Sequence, residues 1–126
     1  MRADPLYIDS REPESVYRVL EYHSPWRVLM TKLEYGDIQG LYILMERKHL
    51  PDLYQSVVSN RLFEQMLGMS IMADNEKLLP VLGIHGTPEE IPIEVNWELV
   101  YGAIASVAIR YGVQIIWVPA IAVSYT

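Results

Sequence analysis

Asp9, Glu12, Asp37, Glu46 and Lys48 are the residues of this sequence whose types and spacing could do chemistry together. In an extended segment side chains alternate, so Glu46 and Lys48 project from one face of a strand and Arg47 from the other. A carboxylate and an ammonium then stand side by side at a strand end. Asp37 begins the turn that leads into the same strand, and a hairpin there brings it back toward Glu46. Two hard carboxylates with open water positions suit Mg²⁺ or Mn²⁺, whereas zinc prefers imidazole or thiolate. Such a site is suited to hydrolysing a phosphodiester, the metal activating water and Lys48 fixing or polarising it. Charges at strand ends are also often simply solvated, and on the Glu-x-Lys spacing alone both readings stand.

The elements that must position these residues follow from apolar spacing. Leu6–Ile8 is a short apolar run, and Pro13 opens a helix with Val16, Val19 and Leu20 on one stripe, ending before Ser24-Pro25. Residues 26–33 and 41–45 read as strands that pair as neighbours, with turn chemistry at Gly36-Asp37 and Gln39-Gly40 between them. Residues 51–69 read as one helix with Gly68 at its fraying end, and 73–77 as a loop or a continuation of that helix. Residues 78–84 form another strand, broken by His85-Gly86-Thr87-Pro88; 88–96 is a surface loop, 97–111 the last helix and 113–118 the last strand. Strands alternating with helices predict a three-layer α/β domain with a mixed central sheet, one domain over residues 1–126.

Composition narrows the function classes. The chain has 126 residues, 51% apolar and 21% charged, the balance of a protein with a real core. Without cysteine there are no disulfides, thiolate zinc sites, iron–sulfur clusters or cysteine nucleophiles. The formal charge of -6 sits in the back half: residues 1–63 hold eight basic and nine acidic side chains, and 64–126 hold two and seven. Such a chain repels DNA at long range, so a DNA role needs a local basic site or help from elsewhere. No signal peptide is evident near Met1, and Gly112, Gln114 and Pro119 divide the apolar 101–125 stretch into pieces too short to span a membrane. The expected location is intracellular, cytoplasmic or nuclear. His23, His49 and His85 share no zinc-like spacing, and no glycine-rich phosphate loop with its lysine is present.

A longer string decides between the two readings of the charged set. Gly36-Asp37 is followed after eight residues by Glu46-Arg47-Lys48 and after three more by Asp52; Asp9-Ser10-Arg11-Glu12 precedes it and Arg61-Leu62-Phe63-Glu64-Gln65 follows. The string resembles the nuclease domain of the XPF family of structure-specific DNA endonucleases, which includes XPF, the Mus nucleases and the archaeal Hef nuclease. The similarity continues in Tyr101-Gly102-Ala103-Ile104-Ala105 and Tyr111-Gly112-Val113, so it covers roughly residues 6–118.

The resemblance implies a restriction-endonuclease-like fold that cuts one strand of branched DNA, such as flaps, forks and nicked junctions, in repair or recombination. Asp37 and Glu46 match the family's metal-binding carboxylates, with the carbonyl of Arg47 as a further ligand. Asp9 and Glu12 match the acidic pair lining the same site, on a second metal or through water. Lys48 matches the catalytic lysine. Arg11, Arg47 and Asp52 match motif positions that either touch phosphate or brace the site, and Arg61 reads the same way. His49, beside Lys48, is the best histidine for a phosphate contact, although the family often has a small hydroxyl residue there.

Two departures bear on affinity. Nothing after residue 118 is long enough for the tandem helix-hairpin-helix module that usually grips duplex in this family, and the long helix lacks basic residues many members carry. Expected partners are therefore branched DNA, a separate DNA-binding module or sliding clamp, and a second copy of the chain docked through 97–118 and the C-terminal end, where small residues favour close helix approach. The alternative function is a non-catalytic DNA-binding or dimerisation partner of the same family. Retention of Asp9, Glu12, Asp37, Glu46 and Lys48 weighs against it.

Overall fold

Strand pairing explains why distant carboxylates meet. The structure is a computed structural model that describes residues 5–25 and 27–118. Its elements are β1 (Pro5–Asp9), α1 (Glu14–His23), β2 (Arg27–Thr31), β3 (Ile38–Gln39), β4 (Ile43–His49), α2 (Leu50–Val58), α3 (Leu62–Asn75), β5 (Leu79–His85), a short 3₁₀ turn (Pro88–Glu90), α4 (Trp97–Tyr111) and β6 (Gln114–Val118). The six strands lie in the order β2-β1-β3-β4-β5-β6. Strands β1 and β3, and β3 and β4, are antiparallel, while β1–β2, β4–β5 and β5–β6 are parallel, so the sheet is mixed as predicted.

Alternation along β4 divides the molecule into layers. Leu44, with Leu82 and Ile84 of β5, packs into the main core beneath α2, α3 and α4. On the opposite face Leu6, Ile8 and Val28 form a smaller core with Tyr17 and Leu20 of α1 and with Ile38. Helix α4 is capped at both ends: Asn96 accepts the Leu99 N–H at 3.2 Å, and Gly112 closes the helix in the left-handed conformation, φ 65°. None of the helices among the described residues is long and apolar enough to cross a membrane.

Three expectations are corrected. The strands expected at 26–33 and 41–45 do not pair: β2 is an edge strand bonded to β1, and both β1 and the two-residue β3 separate it from β4. The helix expected at 51–69 is two helices, broken at Asn60, whose φ of 60° suits asparagine, while the Arg61 N–H returns to the Ser56 carbonyl at 2.9 Å. Gly68 does not end a helix but lies inside α3, which runs on to Asn75. The expected docking segment beyond Val118 lies outside the described residues.

Candidate active site

Register builds a row of carboxylates. Ile8 opposes Ile38, and Ile38 opposes Met45. One position further on, the Asp9 N–H donates to the Asp37 carbonyl at 2.8 Å and the Asp37 N–H to the Met45 carbonyl at 2.7 Å. Asp9, Asp37 and Glu46 therefore stand side by side across three neighbouring strands, on the face opposite Ile8, Ile38 and Met45. Gly36 lets the chain turn into this row: its φ is +79°, and a Cβ there would lie 2.7 Å from Leu44 Cδ1.

Each carboxylate has a different partner. Asp9, only 2% exposed, is held on both oxygens: Arg11 Nε donates to Oδ2 at 2.7 Å, and the Leu33 N–H donates to Oδ1 at 2.8 Å. Arg11 also donates to the Leu33 carbonyl at 2.9 Å, tying the loop after β1 to the loop after β2. Asp37 accepts the Arg47 N–H on Oδ2 at 2.7 Å. Glu12 takes the Arg47 guanidinium at 2.9 Å, with both side chains largely buried. Glu46 has Lys48 Nζ 4.0 Å away, and Lys48 in turn donates to Gln65 Oε1 of α3 at 3.1 Å. Glu46 and Lys48 thus share one face of β4, and Arg47 takes the other, as alternation requires.

The electrostatics are unbalanced where the acids meet. Burial, reinforced by Asp37 and Glu12 and opposed by Lys48, pushes the Glu46 carboxyl up to about 7. Burial also raises Asp37, against the bond from the Arg47 N–H, and raises Glu12, where Asp37 adds to the effect and Arg47 opposes it. Asp9 goes the other way, because its hydrogen bonds from Arg11 outweigh its burial. Three neighbouring carboxyls that resist ionisation form a site short of positive charge, and their hard oxygens are the donors that Mg²⁺ or Mn²⁺ takes. Among the described residues no three His, Cys, Asp or Glu side chains come close enough to hold an ion by themselves. Asp37 and Glu46, adjacent across the β3–β4 pairing, are the two hard-oxygen side chains that such an ion would meet here. Asp9, with both oxygens engaged, braces the loops around it.

The other expected residues divide. Arg11 and Arg47 belong to the network as braces. His49 is hydrogen-bonded to Glu90 and stacks on His85, with ring centroids 5.0 Å apart. Asp52 lies exposed in the first turn of α2, and Arg61 lies exposed at the α2–α3 junction, so neither is drawn into the carboxylate network by the bonds described above. Gln65, which holds Lys48, has no role that spacing predicts; it closes the Arg61–Gln65 string, the only sequence signal pointing to it.

Residues 8–124 match the model of the ERCC4 domain. The chain belongs to the ERCC4-domain family. This is the XPF-type nuclease family that its motifs resemble. Among solved structures the ERCC4 chain is similar to XPF from Aeropyrum pernix in complex with DNA, with a TM-score of 0.75 and 23% identity over 97% of this chain and 61% of that one. It is likewise similar to a second structure of XPF from Aeropyrum pernix, with a TM-score of 0.75 and 24% identity over 96% of this chain and 57% of that one. The ERCC4 chain thus spans about three fifths of the length of these structures. No curated protein matches its sequence.

Proposed function

We propose that this ERCC4 domain is a divalent-metal-dependent endonuclease that cuts one strand of branched DNA. The carrying observation is the placement of Asp37, Glu46 and Lys48 on one face of a β3–β4 hairpin, with Lys48 seated between Glu46 and Gln65. Asp37, Glu46 and the Arg47 carbonyl would hold Mg²⁺ or Mn²⁺, which when bound supplies Lewis-acid polarisation of the phosphate and a more acidic water.

The chain's own residues supply position and charge. Lys48 places an ammonium where negative charge grows on the phosphate, and because Gln65 already fixes it, little reorganisation is needed at the moment of reaction. Arg47 contributes twice: its N–H fixes Asp37, and its guanidinium fixes Glu12. Arg11 braces Asp9 while remaining 65% exposed, so it is also available to a phosphate at the rim.

Branched DNA as substrate rests on the family. Dimerisation rests on exposed apolar residues along the back half: Tyr101 is 59% and Ile109 is 83% exposed on α4, and Ile116 and Trp117 on β6 are exposed as well. The deciding experiment incubates the chain with labelled flaps, forks, nicked junctions and plain duplex, with Mg²⁺ or Mn²⁺ and with chelator. Metal-dependent cutting of the branched forms is the expected result. Binding without cutting under all conditions would overturn it in favour of a non-catalytic partner role.

A further inference from the structure

The interior glycine of α3 points to a second substrate contact. Glycine inside a helix costs about 1 kcal/mol relative to alanine. Gly68 has a packing reason to be there: a Cβ on it would lie 2.5 Å from Cε1, 2.8 Å from Cζ and 2.9 Å from Oη of Tyr35. The hydroxyl end of the Tyr35 ring therefore rests on bare backbone. Gly68 follows Gln65 by three positions, so the two lie on one stripe of the helix. Gln65 holds the Lys48 ammonium at 3.1 Å. The ring and the ammonium are thus seated on the same stripe of α3, one turn apart, and Tyr35 precedes Asp37 by only two residues.

Tyr35 is not consumed by this packing, since it remains 39% exposed. An aromatic ring seated at its hydroxyl end beside a charged site, and still partly exposed, can serve as a stacking platform. Inside duplex DNA each base already has a base on both faces, so a side chain gains a stacking partner where a nucleotide is unpaired or a helix ends. Stacking also needs no charge, which suits a chain of net charge -6 that gains little from phosphates.

We propose that Tyr35, seated on Gly68, stacks on an unpaired nucleobase next to the cleaved phosphate and so contributes to the choice of branched over continuous DNA. This rests on the nuclease reading for where the DNA lies, but its test reads binding. The probe is a flap DNA with 2-aminopurine at the first unpaired position, whose emission falls on stacking, titrated with the full chain carrying Lys48→Ala in Mg²⁺ so that cutting is slow on the time of the titration. A control DNA carries the same base inside paired duplex.

The expected result is quenching at the unpaired position only. It is lost with Tyr35→Ala and recovered with Tyr35→Phe, and the preference for flap over duplex falls about 10-fold in Tyr35→Ala, the scale of one stacked base. Gly68→Ala behaves like Tyr35→Ala, because its methyl displaces the ring; removing a mid-helix glycine favours α3, so this variant answers the question should Tyr35→Ala unfold. Undiminished quenching in Tyr35→Ala, or in Gly68→Ala, would overturn the proposal. If the unmodified chain fails to cut DNA, the nuclease reading falls while the quenching result still decides this one.

Discussion

Asp37 Oδ2 accepts the backbone N–H of Arg47 at 2.7 Å, across the β3–β4 hairpin. The bond locks the aspartate to the strand that carries Glu46 and Lys48, so three chemical groups move as one rigid unit. It also occupies one carboxylate oxygen and leaves Oδ1 directed by the same lock. A hairpin in place of a flexible loop is what the proposed chemistry needs, because charge stabilisation depends on groups that are already in place.

Metal binding should depend on both carboxylates of this unit. Calorimetric titration with Mn²⁺ is expected to give a clear binding heat with the unaltered chain and none with Asp37→Ala, Glu46→Ala together. Asp9→Asn should instead loosen the loops tied by Arg11 and Leu33, lowering stability by about 1–3 kcal/mol in urea unfolding, the cost of breaking a buried charged hydrogen-bond set.

Lys48→Ala should lower the cleavage rate by at least about 100-fold, on the scale of removing one donor that stabilises transition-state charge, while Mn²⁺ binding persists. Gln65→Ala leaves the ammonium in place but unguided, so a smaller loss, about 10-fold, is expected in single-turnover assays, with the rate constant falling more than the DNA affinity. Near-normal turnover in Lys48→Ala would assign that lysine to structure.

The Glu46 carboxyl should make the metal-free fold less stable as pH rises. Its folded value of about 7 lies above the ordinary 4.5, so the native state holds a proton that the unfolded chain has released between those two values. Stability due to this group is full below about pH 4.5 and is lost as pH rises toward 7. Glu46→Gln removes the penalty. In urea unfolding without metal it should be more stable than the unaltered chain by about 1–3 kcal/mol at pH 8, with the difference vanishing near pH 4. Added Mg²⁺ should narrow the gap by stabilising only the chain that retains Glu46.

The parts of the site legible in the sequence are those set by local rules. Alternation along β4 placed Glu46 with Lys48, and turn chemistry at Gly36 brought Asp37 back to them. What escaped was decided by tertiary contact. β3 is two residues long and carries no periodicity, so the strands on either side of it read as neighbours. The apolar stripe of Leu53, Val57, Leu62 and Met66 runs through the break at Asn60, because both helices bury against one core. Gly68 reads as a helix end until the Tyr35 ring is seen on it. Gln65 acquires a role only because α3 crosses the end of β4.

Self-association should follow from the exposed back half. Light scattering at micromolar concentration is expected to give twice the single-chain mass, and Ile109→Glu, at an 83% exposed position that adds nothing to the core, should restore one chain without loss of folding. A single-chain mass for the unaltered protein would remove the dimer.

DNA affinity should be weak and only mildly salt-dependent. With ten basic against sixteen acidic side chains, few phosphate contacts are expected. Arg47 is held by Glu12 and Lys48 by Gln65, so Arg11, at 65% exposure, and Arg61 are the most available. Two or three such contacts correspond to a slope of log K against log salt of about −2 to −3. Because Glu46, Asp37 and Glu12 shed their protons more readily beside a cation, Mg²⁺ should both offset their charge and raise affinity. Fluorescence anisotropy over a salt series, with and without Mg²⁺, measures both quantities. Nanomolar binding of plain duplex at physiological salt, or a slope steeper than about −6, would overturn this expectation.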